Sequence, residues 1–181
     1  MLRRRAVVFM LGAAGLAPVM PARAAQGYRA YAEGLVSRLP AGAVFRLDLE
    51  AVLDRLAVAA RRAAGKAPLH PHELLRTAAR AQAVEMLRGN FVGHSSASGY
   101  QFKDRFAAFA DPYEHGNHGE NAARDRQPGP VDGTKAERLF RQWLDSAGHR
   151  RNLMNPTYGL VASGAVARGH HLYAVQMFWE R

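Results

Sequence analysis

The sequence predicts an α+β fold, a sandwich with helices on both faces of a mainly antiparallel sheet. Three observations predict it. Helix-period apolar patterns fill the middle of the chain from Asp48 to Leu144. Two strand-like segments close the chain on either side of a turn. Both faces of those segments are apolar, and a sheet of that kind must be covered on both sides.

The elements follow in order. Tyr28 to Leu39 reads as a short helix that Pro40-Ala41-Gly42 breaks, within an N-terminal extension spanning 25–46. From Asp48, residues Leu49, Val52, Leu53, Leu56 and Ala60 recur at three- and four-residue steps, with Arg55, Arg61 and Arg62 on the other face. Gly65 ends that helix and Pro68 prevents its return. The next helix follows Pro71 on a stripe of Leu74, Leu75, Ala78, Ala81, Gln82, Met86 and Leu87, whose alanines allow close packing. Gly89-Asn90 stops it. Asp104 to Ala110 reads as a third helix anchored by Phe102, Phe106 and Phe109, and Asp111 to Gly119 as a polar, histidine-bearing loop. Asp132 or Thr134 caps another helix, with Ala136, Leu139, Phe140, Trp143 and Leu144 on its buried face. The period then changes to two. Leu160 to Val166 and Leu172 to Trp179 flank a turn at Arg168-Gly169. Tyr173, Val175, Met177 and Trp179 point to one side, and Leu172, Ala174, Gln176 and Phe178 to the other.

The first residues read as a signal peptide over 1–24. Arg3-Arg4-Arg5 is the charged start, Ala6 to Val19 the apolar run, and Ala22-Arg23-Ala24 the small-x-small cleavage pattern. The run is shorter than the ~20 residues of a membrane span, so the mature chain is expected to carry no transmembrane segment. Both Sec and twin-arginine export stay open, with Sec the better match. Removing 1–24 takes away four arginines and no acid, which lowers the net charge from +10 to about +6. The chain has no cysteine, so packing alone must hold it, and its length permits a sufficient core. A basic surplus suits anionic partners. Export and the lack of any nucleic-acid motif argue against DNA or RNA, which leaves a small-molecule, lipid or cell-envelope ligand. The chain is expected to be monomeric.

Chemistry concentrates in three short polar stretches, each read as a turn: Gly93-His94-Ser95, Gly119-Glu120-Asn121 and Ser146-Ala147-Gly148-His149-Arg150. Two imidazoles and a carboxylate can bind a divalent metal or relay a proton. His115 and His118 stand near this group, as added imidazoles at a cleft mouth or as an exposed polar loop. His70, His72, His170 and His171 fall at element entries and read as surface residues. Asn121 reads as a backbone-bonding residue, and Arg150 and Arg151 as a solvated pair or an anion site at the rim. A serine-nucleophile elbow at Gly93-His94-Ser95-Ser96-Ala97 would need a strand before it, and a helix precedes it here.

Leu74 through Met86, His94-Ser95, Gly119-Glu120-Asn121, Trp143 through Arg150, and Tyr173 through Phe178 occur in one order. Together they resemble the CAP superfamily, the cysteine-rich secretory and pathogenesis-related group also called the SCP domain, over 47–181. The form Trp143-Leu144-Asp145-Ser146 leading to Gly148-His149-Arg150 looks like its disulfide-free bacterial branch. The resemblance implies a three-layer α-β-α sandwich whose cleft holds two histidines and two acids. His94, Glu120 and His149 match three of those positions. Ser146 stands at the fourth, where the eukaryotic branch has a glutamate, and Asp145 beside it points about 100° away around a helix. Two neutral imidazoles and a carboxylate form an open zinc set with a place for water, so Zn2+ on His94, Glu120 and His149 is the metal expectation. Without metal, Glu120 would orient a histidine. The resemblance is compatible with a binding module, with a metal-dependent hydrolase of peptide, ester or cell-wall bonds, and with a scaffold whose cleft residues only stabilise the fold.

Overall fold

The computed structural model describes residues 22–109 and 116–180. Among the described residues six helices and five strands follow one another in this order: α1 (Ala22–Ser37), β1 (Ala43–Phe45), α2 (Leu47–Ala63), β2 (His70–Pro71), α3 (Glu73–Gly89), α4 (Phe102–Phe109), β3 (His118–Asp125), α5 (Gly133–Asp145), α6 (Ala147–Leu153), β4 (Tyr158–Arg168) and β5 (His171–Glu180). The signal peptide read over 1–24 lies outside the described residues, apart from its last three positions, which open α1.

The sheet runs β1-β4-β5-β3, antiparallel throughout, and the two-residue β2 adds a parallel pairing to β4. β3 is therefore an edge strand. The two faces of β5 divide as their alternation predicts. Tyr173, Val175, Met177 and Trp179 pack with α1, α3 and α4, while Leu172, Ala174 and Phe178 pack with α2, α5 and α6. Three layers result, α-β-α.

Two close approaches lock the layers. α3 lies directly on β4, because a Cβ at Gly164 would stand 2.3 Å from the backbone nitrogen of Arg80. At its C-terminus α3 is closed by Asn90 in the left-handed region, φ 51°. The segment read as an N-terminal extension is packed against the domain. Tyr28 and Ala32 of α1 are fully buried, and Phe45 of β1 packs against the same core.

Two local expectations are corrected. Gly119-Glu120-Asn121 lies inside β3 and is no turn. β3 reads His-Gly-Glu-Asn-Ala-Ala-Arg-Asp, without a single β-branched residue, and its extended shape comes from pairing with β5. Ala147-Gly148-His149-Arg150 belongs to the short helix α6, which buries only Leu153 and so shows no apolar stripe. β1 and β2 are short edge pieces below any periodic signal.

Candidate functional site

Glu120 enters the α4 side of the sheet from β3, and its side chain is 1% exposed. Burying a carboxylate requires a partner. Arg105 of α4 supplies it: Nη2 donates to Oε1 at 2.6 Å and to Oε2 at 2.5 Å, and the guanidinium is itself fully buried. Nη1 of Arg105 donates to the carbonyl of His94 at 2.9 Å. One arginine thus positions both an acid and a histidine.

The His94 ring is half-exposed, and its Nδ1 lies 2.9 Å from Oε1 of Glu120. An ionised carboxylate can only accept, so Nδ1 carries a proton and donates it to Glu120. From α3, Gln82 donates to the carbonyls of Gly93 (2.8 Å) and Ser95 (3.4 Å). Three successive carbonyls, 93 to 95, are therefore tied to the core, and the loop cannot swing the imidazole away.

The other wall comes from α6. Asn152 donates to the backbone oxygen of Glu120 at 3.1 Å and to Oδ1 of Asn121 at 3.0 Å, and Asn121 donates to the carbonyl of His149 at 3.1 Å. Asn121 is thus the backbone-bonding residue that the sequence suggests. Gly119 makes the approach possible, since a Cβ there would fall 2.7 Å from the Tyr158 hydroxyl. His149 is half-buried. Burial, and then the charge of His94, hold its imidazole below the ordinary value, so it is neutral at pH 7.

Between these walls lies a cavity of about 240 Å3 lined by His94, Phe102, His118, Gly119, Glu120 and Asn152. His118 forms its aromatic side, with ring centroids 4.7 Å from Phe106 and 5.2 Å from Phe102. Ser146 and His149 do not line it. Ser146 is the junction that ends α5 and begins α6. His115 lies outside the described residues. His72 caps α3 through Nδ1 at 3.3 Å from the Leu75 nitrogen; His170 and His171 lie at the other end of the sheet, and β4 and β5 separate His70 from His118.

Arg105 and Asn152 are the contributors that sequence reasoning missed. Both had a signal. Phe102, Arg105, Phe106 and Phe109 share one face of α4 at steps of three and four, so Arg105 points inward with the aromatic anchors. Asn152 follows His149 by three and shares its side of α6.

The donor set bears on zinc. Glu120 is engaged on both oxygens, and a cation there would have to displace a fully buried guanidinium. Among the described residues no group of three or more histidine, aspartate or glutamate side chains is placed to hold a metal ion.

Comparison with known proteins follows the same lines. The model of the CAP family, described as the cysteine-rich secretory protein family, matches residues 55–178. The uncharacterized protein YkwD of Bacillus subtilis (strain 168) is 30% identical over 111 residues, which cover 61% of this chain and 40% of that protein. The chain thus spans about two-fifths of that relative. An outer surface protein of Borrelia burgdorferi superposes with a TM-score of 0.63 at 16% identity, over 77% of this chain and 97% of the other. An extracellular SCP-domain protein of Bacillus anthracis str. Ames gives 0.60 at 22% identity, over 74% and 41%. A cysteine-rich secretory protein of Staphylococcus aureus gives 0.54 at 15% identity, over 74% and 38%. These likenesses show the fold.

Proposed function

We propose that this chain, which belongs to the CAP family of cysteine-rich secretory proteins, is an exported binding module of the cell envelope or extracellular space. It is a disulfide-free member, since it has no cysteine. Export is supported by the charged and apolar start of the chain and by relatives of the same fold described as an outer surface protein and an extracellular protein. No helix among the described residues is long and apolar enough to cross a membrane.

One observation carries binding over hydrolysis: both oxygens of Glu120 are held by Arg105. A general base must present its oxygen to the substrate. Glu120 receives two hydrogen bonds from a buried guanidinium and a third from His94, and so serves to orient the imidazole. His94 in turn has no activated hydroxyl beside it, because Ser95 Oγ donates to Gln101 at 2.8 Å. What remains is a small cleft with aromatic, imidazole and amide walls, suited to hold a small polar or amphipathic ligand.

The second reading is a metal-dependent hydrolase acting on peptide, ester or cell-wall bonds, and the half-exposed His94 ring near a neutral His149 favours it. Both readings meet in one experiment. Zinc is titrated calorimetrically into wild type and His94→Ala/His149→Ala, and each protein is assayed with and without zinc on ester, peptide and peptidoglycan substrates. The binding reading expects no turnover in either protein. Reproducible turnover lost in the double variant and in Glu120→Gln would replace it with the hydrolase.

A further inference from the structure

The end of the sheet opposite the cleft carries an unusual row of charge. Arg168 of β4 pairs with His171 of β5. Asp125 of β3 pairs with Leu172, so the next residue, Arg126, falls beside His171 on its other side. Paired residues share a face, and neighbouring strands lie ~4.8 Å apart. Arg168, His171 and Arg126 thus form a line across three strands. Arg124, two residues earlier on β3, shares that face and donates to the carbonyl of Asn90 at 2.8 Å, where α3 ends. Arg88 stands in the last turn of α3.

Arg88, Arg126 and Arg168 are exposed. No ion pair among the described residues includes any of the four arginines. Arg126 and Arg168 stand on either side of His171, and neither has a carboxylate partner among the described residues. The nearest acid, Asp125, is buried and already engaged by Lys135 and Arg138. Burial, then the cations His170, Arg126, Lys135 and Arg168, hold His171 below its ordinary value. At neutral pH the charge of the row is therefore arginine charge.

We propose that this end of the sheet is a docking surface for a linear phosphate polyanion. Guanidinium forks match phosphate oxygens in pairs, and Arg126 and Arg168, two strand spacings apart across His171, offer two such forks to a chain of repeating phosphates laid across the strands. None of the exposed large apolar side chains, Val44, Leu47, Leu74 and Val92, stands in the row, so it offers no wedge for a bilayer. Six residue steps, about 20 Å at ~3.3 Å per residue, separate Arg126, just past the end of β3, from Glu120. The polymer would hold the protein at one end and leave the cleft open at the other.

Long-chain inorganic polyphosphate is the probe, titrated into the protein at several salt concentrations. Four arginine contacts at about −0.7 each in log K against log salt predict a slope of roughly −3, and Arg126→Gln/Arg168→Gln should halve it. Arg55→Gln/Arg62→Gln removes the same charge from exposed positions on α2 and should leave the slope unchanged. Three results would overturn the proposal: no binding, equal losses in the two double variants, or binding to phosphatidylglycerol vesicles without binding to polyphosphate. Circular dichroism of each variant confirms that folding is retained, since none of the substituted side chains is buried.

Discussion

Arg61 and Arg105 are both fully buried guanidinium groups, one in each helical layer of the sandwich, and they are neutralised in different ways. Arg61 of α2 has no carboxylate. It donates to four backbone carbonyls, Ala67 (2.7 Å), Leu153 (3.0 Å), Asn155 (2.7 Å) and Tyr158 (3.2 Å), and so ties the ends of α2 and α6 to the start of β4. Burial lowers its pKa and no acid compensates. Arg105 of α4 answers a carboxylate, Glu120, at the floor of an open cleft. A backbone carbonyl cannot be mutated away or titrated, whereas a carboxylate can be both. The first arginine is therefore part of the scaffold, and the second makes the site adjustable.

Removing Arg61 should give the largest effect. Arg61→Met removes the donor from four carbonyls, of which those of Leu153 and Tyr158 are buried, and at ~1–3 kcal/mol for each buried unsatisfied group the loss should reach about 5 kcal/mol. For a chain of this size ~1 kcal/mol moves Tm by 2–4 °C, so thermal unfolding should show a fall of 10 °C or more. A loss near 1 kcal/mol would mean that Arg61 is a passenger and would remove the contrast.

Glu120→Gln should come next. It leaves the Arg105 charge buried without its counter-ion, which costs ~3 kcal/mol by the measure of broken buried pairs. The readout is urea unfolding at pH 7. The amide keeps the shape and one acceptor, so the helices should stay in place by circular dichroism while the cleft loses its fixed imidazole.

The smallest effect is set by pH. The folded-state pKa of His149 is depressed below the model value of 6.5. Its contribution is fully present above pH 6.5 and is lost as pH falls from there through the folded value, because the unfolded chain takes up the proton first. Urea midpoints measured from pH 8 down to 5 should fall over that window, and less steeply in His149→Asn. Equal slopes in the two proteins would place the titration elsewhere, with His171, also depressed, the first group to examine.

The sequence reveals the parts of this comparison unequally. The amphipathic helices α2, α3 and α5 were legible because each buries a continuous stripe, and both faces of β5 were legible from strict alternation. β3 was not, since its residues are polar or small and its conformation is imposed by β5. α6 was not, since a seven-residue helix with one buried side chain has no period to read. His94, Glu120 and His149 were legible through the family resemblance, yet the partner of Glu120 was not. An arginine on a helix reads as a solvated face unless its spacing from aromatic anchors is counted. Arg61 was placed on the solvent face for the same reason, and it is buried.

The central claim is that Glu120 is committed to Arg105, which makes it an orienting group for His94 and neither a free base nor a metal ligand. The double-mutant cycle of Glu120→Gln and Arg105→Met tests this most directly by chemical unfolding. If the claim holds, the double variant is at least ~2 kcal/mol more stable than the sum of the two single losses implies, because removing both charges leaves neither one stranded. Additive losses, with no coupling between the two positions, would contradict it.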